Sequence, residues 1–207
     1  MIKNLLFDLG GVIMDIRREN CVKAFEAIGM YDARTLLGEY EQAGVFAGIE
    51  NGSLTPRQFH DEIRRIIGRP VTDSEIDDAF QRFLIGIPGH RLDELQRLRA
   101  RFGIYLLSNT NPIMWDGEIS RNFRSRGHDV NFYFDGILRS YEAGVMKPDP
   151  AIFRLAAERF GIHPDETLFI DDSRSNLDAA EALGFHTLLA APGTEFADPL
   201  KAYDFSR

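Results

Sequence analysis

The chain has 207 residues, of which 44% are hydrophobic and 27% charged, so it suits one globular domain or a core domain with a smaller insertion. Sixteen phenylalanines supply bulky core material, which argues against disorder over the whole length. The formal net charge of −8 argues against a general attraction to DNA or RNA, so we expect no nucleic-acid partner.

The first predicted element is a short apolar strand over Asn4–Phe7, which ends at Asp8. This apolar run stops too early to be the core of a signal peptide, and no later run approaches the length that spans a bilayer. Cys21 is the single cysteine, so no disulfide framework exists within the chain. We therefore expect a cytoplasmic protein with no membrane partner.

Residues 17–85 carry helix signals and no convincing strand. Two segments, T-P-R-Q from Thr55 and T-D-S-E from Thr72, fit the capping box that begins many helices, and apolar residues at helical spacing follow each. The α/β pattern resumes near residue 90. We therefore predict a core of residues 1–16 and 86–207, with residues 17–85 inserted after the first strand as an all-helical cap.

Beyond the cap, short apolar runs alternate with helical patterns, which is typical of a parallel sheet flanked by helices. One stripe of leucines predicts a helix that Gly103 ends, and another helix begins at Asp149-Pro150 and ends at Gly161. The further predicted strands are Ile104–Leu107, Gly136–Leu138, Thr167–Ile170 and His186–Leu189. The predicted fold class is therefore α/β, with a Rossmann-like parallel sheet as the core.

Functional side chains follow four of the predicted strands. In chain order, these residues are Asp8 with Gly10 and Gly11, then Ser108 and Asn109, then Lys147 on a loop, and finally Asp171 and Asp172. In open parallel sheets the active site lies outside the carboxyl ends of the strands. Each group alone is more often a turn residue, a helix cap or a solvated charge, but the ordered set predicts one site.

These groups fit hydrolysis through an aspartyl-phosphate, in which a carboxylate attacks phosphorus. The carboxylate and its substrate are both anions, so a cation must offset their repulsion. Carboxylates from two strand ends can hold Mg²⁺, which prefers oxygen ligands. A lysine, a serine hydroxyl and backbone N–H groups can hold the phosphate oxygens. We therefore predict a Mg²⁺-dependent hydrolase of phosphorylated small molecules.

Four motifs in the chain resemble those of the haloacid dehalogenase-like (HAD) hydrolases. The first is F-D-L-G-G-V-I around Asp8, the second L-L-S-N-T around Ser108, the third K-P-D from Lys147 and the fourth F-I-D-D-S-R-S-N, which ends at Asn176. The resemblance runs from residue 2 to about residue 190, and residues 17–85 resemble the family's helical cap.

The resemblance implies roles around the first motif. Asp8 would be the nucleophile and a metal ligand, with the backbone carbonyl of Gly10 and the carboxylate of Asp172 as further ligands, and Gly10 would also lie against the phosphate. Family phosphatases usually carry a second aspartate, which protonates the leaving group, where this chain has Gly10. The glycine resembles a subgroup of sugar-1-phosphate phosphatases. Water, a cap residue, Asp15 or a substrate with a good leaving group would then offset the missing acid.

The other motifs would hold the phosphate and support the site. Ser108 and Lys147 would bind the phosphate with Asn109 nearby, Asp171 would support Lys147 or a metal-bound water, and Asn176 would belong to the same supporting set. The second, third and fourth motifs are therefore expected to supply groups around the carboxylate of Asp8, which stays the expected nucleophile.

Two alternatives stay open. In a phosphomutase or phosphotransferase the same motifs would pass the phosphoryl group to a sugar, and in a regulatory phosphate-binding protein the site would be catalytically weak. A cap turn with Phe46, Glu50 and Asn51 is a candidate for contact with the substrate. The sequence specifies neither the substrate nor the oligomeric state.

Overall fold

The computed structural model describes residues 1–38, 42–191, 193–203 and 205. Within these ranges, five strands form one sheet and two more form a short ribbon. The strands are β1 (Asn4–Phe7), β2 (Asp15–Ile16), β3 (Leu84–Gly86), β4 (Gly103–Ser108), β5 (Gly136–Arg139), β6 (Thr167–Asp171) and β7 (His186–Leu189).

Helices are the other regular elements of the described chain. They are α1 (Arg18–Ala27), α2 (Ala33–Leu36), α3 (Gly44–Glu50), α4 (Pro56–Ile67), α5 (Asp73–Gln81), α6 (Gly89–Arg99), α7 (Pro112–Met114), α8 (Ser120–Arg124), α9 (Val130–Tyr133), α10 (Ser140–Ala143), α11 (Pro150–Phe160), α12 (Arg174–Glu181) and α13 (Ala197–Ala202). A π-helical turn, Trp115–Ile119, joins α7 to α8, and a 3₁₀ turn, Pro164–Glu166, precedes β6. None of the helices in these ranges has both the length and the apolar character needed to cross a membrane.

The main sheet has the strand order β5-β4-β1-β6-β7, and every neighbouring pair is parallel. β1 is the central strand. Its last residue, Phe7, lies beside Leu106 of β4 and Ile170 of β6. The residue after β1 is therefore flanked by the ends of two other strands. This parallel sheet confirms the predicted α/β fold class.

Apolar residues cover both faces of the sheet, as the unalternated strand sequences predict. Successive residues of β1 point to opposite faces. Leu5 and Phe7 pack in one cluster, whereas Leu6 packs in a second cluster with Phe153 of α11 and Phe169 of β6. All five side chains are fully buried. Burial of each stabilises the fold by about 1.5–3 kcal/mol, which fixes the strand ends that carry the site.

The cap consists of α1 to α5, which lie between β2 and β3 in the chain. Its centre contains the rings of Phe25, Phe46, Phe59 and Phe80, all buried. The rings of the first two pack edge to face with centroids 5.0 Å apart. Both predicted capping boxes, at Thr55 and Thr72, are confirmed at the start of α4 and α5. Local capping and aromatic packing therefore stabilise this inserted stretch, and its buried rings are continuous with the cluster that contains Leu5 and Phe7.

One predicted helix end is wrong. α6 ends at Arg99 with Ala100 as its C-terminal cap, whereas Gly103 is the first residue of β4. A Cβ atom at Gly103 would lie 2.7 Å from Asn4 Oδ1 and 2.9 Å from Tyr105 Cε2. The glycine is therefore explained by close packing at the start of a strand, not by a helix cap.

The stretch predicted to lack strands also contains one. β3 pairs antiparallel with β2, with Asp15 opposite Gly86 and Ile16 opposite Leu84, and the register shifts between the two pairs. Such short strands have no periodicity to reveal them, and their partners lie about seventy residues apart in the chain. The ribbon lies at the predicted boundaries between core and cap.

Candidate active site

The carboxyl edge of the sheet brings together the predicted site residues. Asp8 directly follows β1, Ser108 ends β4 and Asp171 ends β6, and these three strands are neighbours. Lys147 comes from the loop between α10 and α11. Asp8, Ser108 and Lys147 line one cleft between the sheet and the cap, together with Asp172. The arrangement is the one expected for an active site of an open parallel sheet.

Lys147 is the cation at the centre of this cluster. Its side chain is almost fully buried, and Nζ lies 2.8 Å from Asp8 Oδ1 and 2.7 Å from Asp171 Oδ2. Burial alone would lower the pKa of the ammonium, but the charges of Asp171 and Asp8 outweigh it and hold the pKa above its usual value. Lys147 is therefore charged at neutral pH and points at the oxygen expected to attack phosphorus.

Asp171 holds that lysine in place. Its side chain is fully buried, and besides Lys147 it accepts hydrogen bonds from the backbone N–H of Ser173 at 2.8 Å and from Asn176 Nδ2 at 3.0 Å. A buried carboxylate with this many donors is fixed in orientation. The contacts are those expected if Asp171 supports Lys147 with Asn176 as a second support.

Asn109 is engaged with the backbone of the same loop. Its Nδ2 donates to the carbonyl of Lys147, and its Oδ1 accepts from the N–H of Lys147, both at 2.9 Å. This two-point contact ties the end of β4 to the loop that carries the cation. Both functional atoms of the Asn109 side chain are used in it, and its predicted contact with phosphate stays a prediction. Ser108 is buried beside it and lines the cleft.

The surroundings of Asp8 disfavour the negative charge of its carboxylate. Burial raises the pKa of its carboxyl, Lys147 opposes that effect, and the charges of Asp171 and Asp172 add to it, so the pKa lies at about 7. A second cation near Asp8 would favour the ionised form that a nucleophile requires.

The three carboxylates form a cluster with the right chemistry for Mg²⁺. One oxygen each of Asp8, Asp171 and Asp172 lies within 4.8 Å of the others, and Mg²⁺ prefers oxygen ligands. Gly11 leaves room for this cluster, because a Cβ there would lie 2.1 Å from Asp172 Oδ2. Within this cluster, Asp171 already accepts hydrogen bonds from three donors.

The position of the missing acid is not closed by packing. A Cβ at Gly10 would meet only the side chain of Ile16, at 3.5 and 3.7 Å, which are ordinary contact distances. The sequence candidate for a substitute acid, Asp15, lies elsewhere. Its Oδ1 accepts from Arg91 Nη1 at 2.7 Å, and it lines a neighbouring outer cavity instead of the cleft that contains Asp8. Asp15 is therefore not placed to protonate a leaving group.

Within the described residues, the cap contributes one carboxyl to the cleft. Glu50, the last residue of α3, lines it opposite the strand ends, whereas Phe46 lies in the cap core and Asn51 accepts from the backbone N–H of Ser53. Two further polar lining residues, Gln42 and Thr110, were given no role from the sequence. Thr110 is the last residue of the second motif, so its place in the chain was a usable signal, whereas Gln42 has none.

Ser140 joins the cap to the core behind this cleft. Its buried hydroxyl lies 2.6 Å from the carbonyl oxygen of Glu50 and 3.1 Å from that of Thr110, and it accepts a hydrogen bond from the N–H of Thr110 at 3.0 Å. The next cap turn also packs tightly, because a Cβ at Gly52 would lie 2.2 Å from the carbonyl oxygen of Tyr141. The end of α3 is therefore held against the core through its backbone.

A matched pair of glycine substitutions tests this contact. Gly52 and Gly68 have φ angles of +75° and +72°, but an added Cβ at Gly68 meets no atom of the described residues within 4 Å. Gly68→Ala should therefore lower the free energy of unfolding by only roughly 1–2 kcal/mol, which is the cost of placing an alanine in the left-handed conformation. We expect Gly52→Ala to lower the free energy of unfolding by at least about 1 kcal/mol more, because the added Cβ would displace the turn. Urea denaturation measures the stability of both variants. Equal losses of stability would show that the turn can move away from Tyr141 at no measurable cost.

The chain is similar to proteins of known family. A model for haloacid dehalogenase-like hydrolases matches residues 2–184. D-ribitol-5-phosphate phosphatase of Bacteroides thetaiotaomicron is 38% identical over 200 residues, which cover 97% of each chain. Sequence similarity to a phosphatase therefore extends through both the sheet and the cap.

Solved structures agree with this similarity. A HAD family enzyme of Bacteroides thetaiotaomicron, in complex with magnesium and inorganic phosphate, superposes with a TM-score of 0.89 at 41% identity and covers 95% of this chain and 98% of its own. A HAD-like family hydrolase of Porphyromonas gingivalis gives 0.91 at 36% identity and covers 98% and 97%. The arrangement of sheet and cap is thus shared over nearly the whole length.

Proposed function

Because the chain belongs to the haloacid dehalogenase-like hydrolase family, we propose that it hydrolyses the phosphate monoester of a small sugar or sugar alcohol, with Asp8 as the nucleophile. The family, the phosphatase class and the magnesium cofactor predicted from the sequence are confirmed by the similar phosphatase and by the magnesium-bound structure. The observation that carries the residue roles is the contact of Lys147 Nζ with Asp8 Oδ1 at 2.8 Å, beside the cluster of carboxylates.

The proposed metal ligands are the carboxylates of Asp8 and Asp172 and the backbone carbonyl of Gly10. Their support is the cluster of carboxylate oxygens and the close approach of Gly11 to Asp172. Mg²⁺ bound there would neutralise negative charge on the transferring phosphoryl group. Lys147 supplies a second, fixed positive charge beside Asp8.

The proposed reaction has two displacements at phosphorus. A carboxylate oxygen of Asp8 attacks, the bond from phosphorus to the substrate oxygen breaks, and the alcohol leaves with a proton. Water then attacks the aspartyl-phosphate, which regenerates Asp8 and releases inorganic phosphate. Lys147 and Ser108 are placed to hold the phosphoryl oxygens during both steps, and Asp171 keeps Lys147 oriented.

The similarity to D-ribitol-5-phosphate phosphatase favours a sugar alcohol phosphate over the anomeric phosphates considered from the sequence. The phosphate of D-ribitol 5-phosphate is an ester of a primary alcohol, which leaves slowly unless it is protonated. The substrate class therefore requires a proton source other than Gly10, such as water in the cleft.

We test the proposal by phosphate release from D-ribitol 5-phosphate and from p-nitrophenyl phosphate, with Mg²⁺ and with a chelator. We expect release from both in Mg²⁺, loss with the chelator and recovery when Mg²⁺ is restored, because the ion offsets charge at Asp8. Absence of release from either ester in Mg²⁺ would contradict the proposal and favour a regulatory phosphate-binding protein. A new phosphorylated product in place of inorganic phosphate would favour a phosphotransferase.

A further inference from the structure

The wall of the cleft that faces the phosphate site is mostly apolar. It includes the side chains of Phe80, Phe83 and Leu84 from the cap and the ribbon, with Met14 and Ile16 from the core. Polar groups on such a wall lose hydration unless a ligand replaces it, so each one present requires an explanation. Three polar residues beyond the phosphate cluster interrupt this wall: Glu50, Gln42 and Thr110.

Two of these residues carry a buried oxygen that has no hydrogen-bond partner within the described ranges. They are Gln42 Oε1 and Thr110 Oγ1. A buried polar atom without a partner costs about 1–3 kcal/mol, so natural proteins keep few of them without a use. Gln42 comes from the cap and Thr110 from the core, so a ligand between the two parts of the protein would meet both.

Glu50 is the third of these groups and the only carboxyl that the described cap contributes to the cleft lining. No salt bridge joins Glu50 to a cation among the described residues, and burial raises the pKa of its carboxyl to about 8. Near neutral pH the group is therefore mostly a neutral acid, which both donates and accepts hydrogen bonds. Ser140 fixes its backbone against the core.

We propose that Glu50, Gln42 and Thr110 bind the hydroxyl groups of the substrate's carbon chain and select polyhydroxylated phosphate esters over plain alkyl esters. The inference rests on the proposed phosphatase function, because it assigns the part of the cleft that is not used by the phosphate. Each hydroxyl of a polyol is a donor and an acceptor, which matches a neutral carboxyl, an amide and a hydroxyl on the wall. A site with polar groups of this kind rejects a ligand that lacks the hydroxyls, because those groups would then stay unpaired.

The test compares two esters of equal length, D-ribitol 5-phosphate and pentyl phosphate, which has no hydroxyls. The quantity measured is the ratio of their kcat/KM values. We expect the ratio in the unaltered protein to exceed roughly ten, and Glu50→Ala and Gln42→Ala each to lower it by roughly ten-fold or more. The control is Glu62→Ala, which removes an exposed cap carboxylate outside the cleft lining and should leave the ratio as it was.

Thr110→Val separates binding from folding. The substitution keeps the shape and removes an oxygen that has no partner, so the thermal midpoint should stay the same or rise while the ratio falls. A ratio that falls by less than roughly ten-fold in Glu50→Ala would overturn the inference. Equal losses for both esters would do the same, because they would assign Glu50 to proton transfer or to folding.

The outcomes also keep this inference apart from the proposed function. If the unaltered protein hydrolyses p-nitrophenyl phosphate in Mg²⁺ but its ratio is near one, the selection of hydroxyl groups is wrong and the phosphatase remains. If p-nitrophenyl phosphate and both alkyl esters are inert, the phosphatase itself is wrong.

Discussion

Replacing Asp8 with asparagine is expected to reduce phosphate release by at least about 10⁴-fold, because an amide of the same size does not attack phosphorus. Asp8 directly follows the central strand, and its Oδ1 lies 2.8 Å from the ammonium of Lys147. Rapid quenching with a radiolabelled ester measures the cause directly. The unaltered protein should form a covalent acyl-phosphate that hydroxylamine cleaves, and the variant should form none.

The stability of the same variant shows whether lost activity could instead come from misfolding. Burial raises the pKa of Asp8 to about 7 in the fold, whereas an unfolded aspartate titrates near 4. The folded chain thus holds this proton more tightly, and the unaltered fold loses stability as the pH rises from about 4 to 7. Without metal at pH 8, Asp8→Asn should therefore unfold at no lower urea concentration than the unaltered protein. A well-folded variant that keeps more than about one per cent of the activity would contradict the proposal that Asp8 is the nucleophile.

Replacing Lys147 with methionine is expected to impair both activity and stability. Loss of the buried ammonium should slow turnover by about 10²–10³-fold or more, because the charge that develops on the phosphoryl oxygens loses its fixed partner. The substitution also leaves Asp171, which is fully buried, without its cation. Removal of one partner from such a pair typically costs about 3–5 kcal/mol. Urea denaturation and steady-state kinetics measure the two effects separately.

A second substitution distinguishes the two causes. In Lys147→Met combined with Asp171→Asn the buried charge is gone, while the amide oxygen can still accept from Ser173 or Asn176. We expect much of the lost stability to return but none of the lost activity. If Lys147→Met alone is as stable as the unaltered protein, or if the double variant is no more stable than the single one, the pairing with Asp171 is not what holds this lysine.

The sequence predicted the sheet and the group of residues at its edge for one physical reason. Strands buried on both faces read as unbroken apolar runs, and parallel strands present their carboxyl ends on one side. Asp8, Ser108 and Asp171 were therefore expected to lie near one another, and the structure places them at the carboxyl ends of three neighbouring strands. The capping boxes at Thr55 and Thr72 were predictable because their hydrogen bonds join residues three apart.

The features that the sequence did not predict depend on distant contacts. Gly103 looks like the end of a helix, but a larger residue there would clash with Asn4, its partner on the neighbouring strand and distant from it in the chain. The hydrogen bond from the Ser140 hydroxyl to the Glu50 carbonyl joins residues ninety apart. Nothing local marks Gln42 as a lining residue, because its place depends on how the cap sits on the sheet. Patterns within one element cannot contain this information.

The short ribbon of β2 and β3 bears on how such a protein can change its specificity. The two strands hydrogen-bond to each other, so the chain leaves the core and returns to it at adjacent points. A segment whose ends lie side by side can differ in length or content without a shift of the sheet, because its closure entropy changes only slowly with length. The carboxylates and the lysine proposed to perform the chemistry lie outside that segment. The cap can therefore change in evolution while the residues at the edge of the sheet stay the same, so that a new substrate does not require a new reaction.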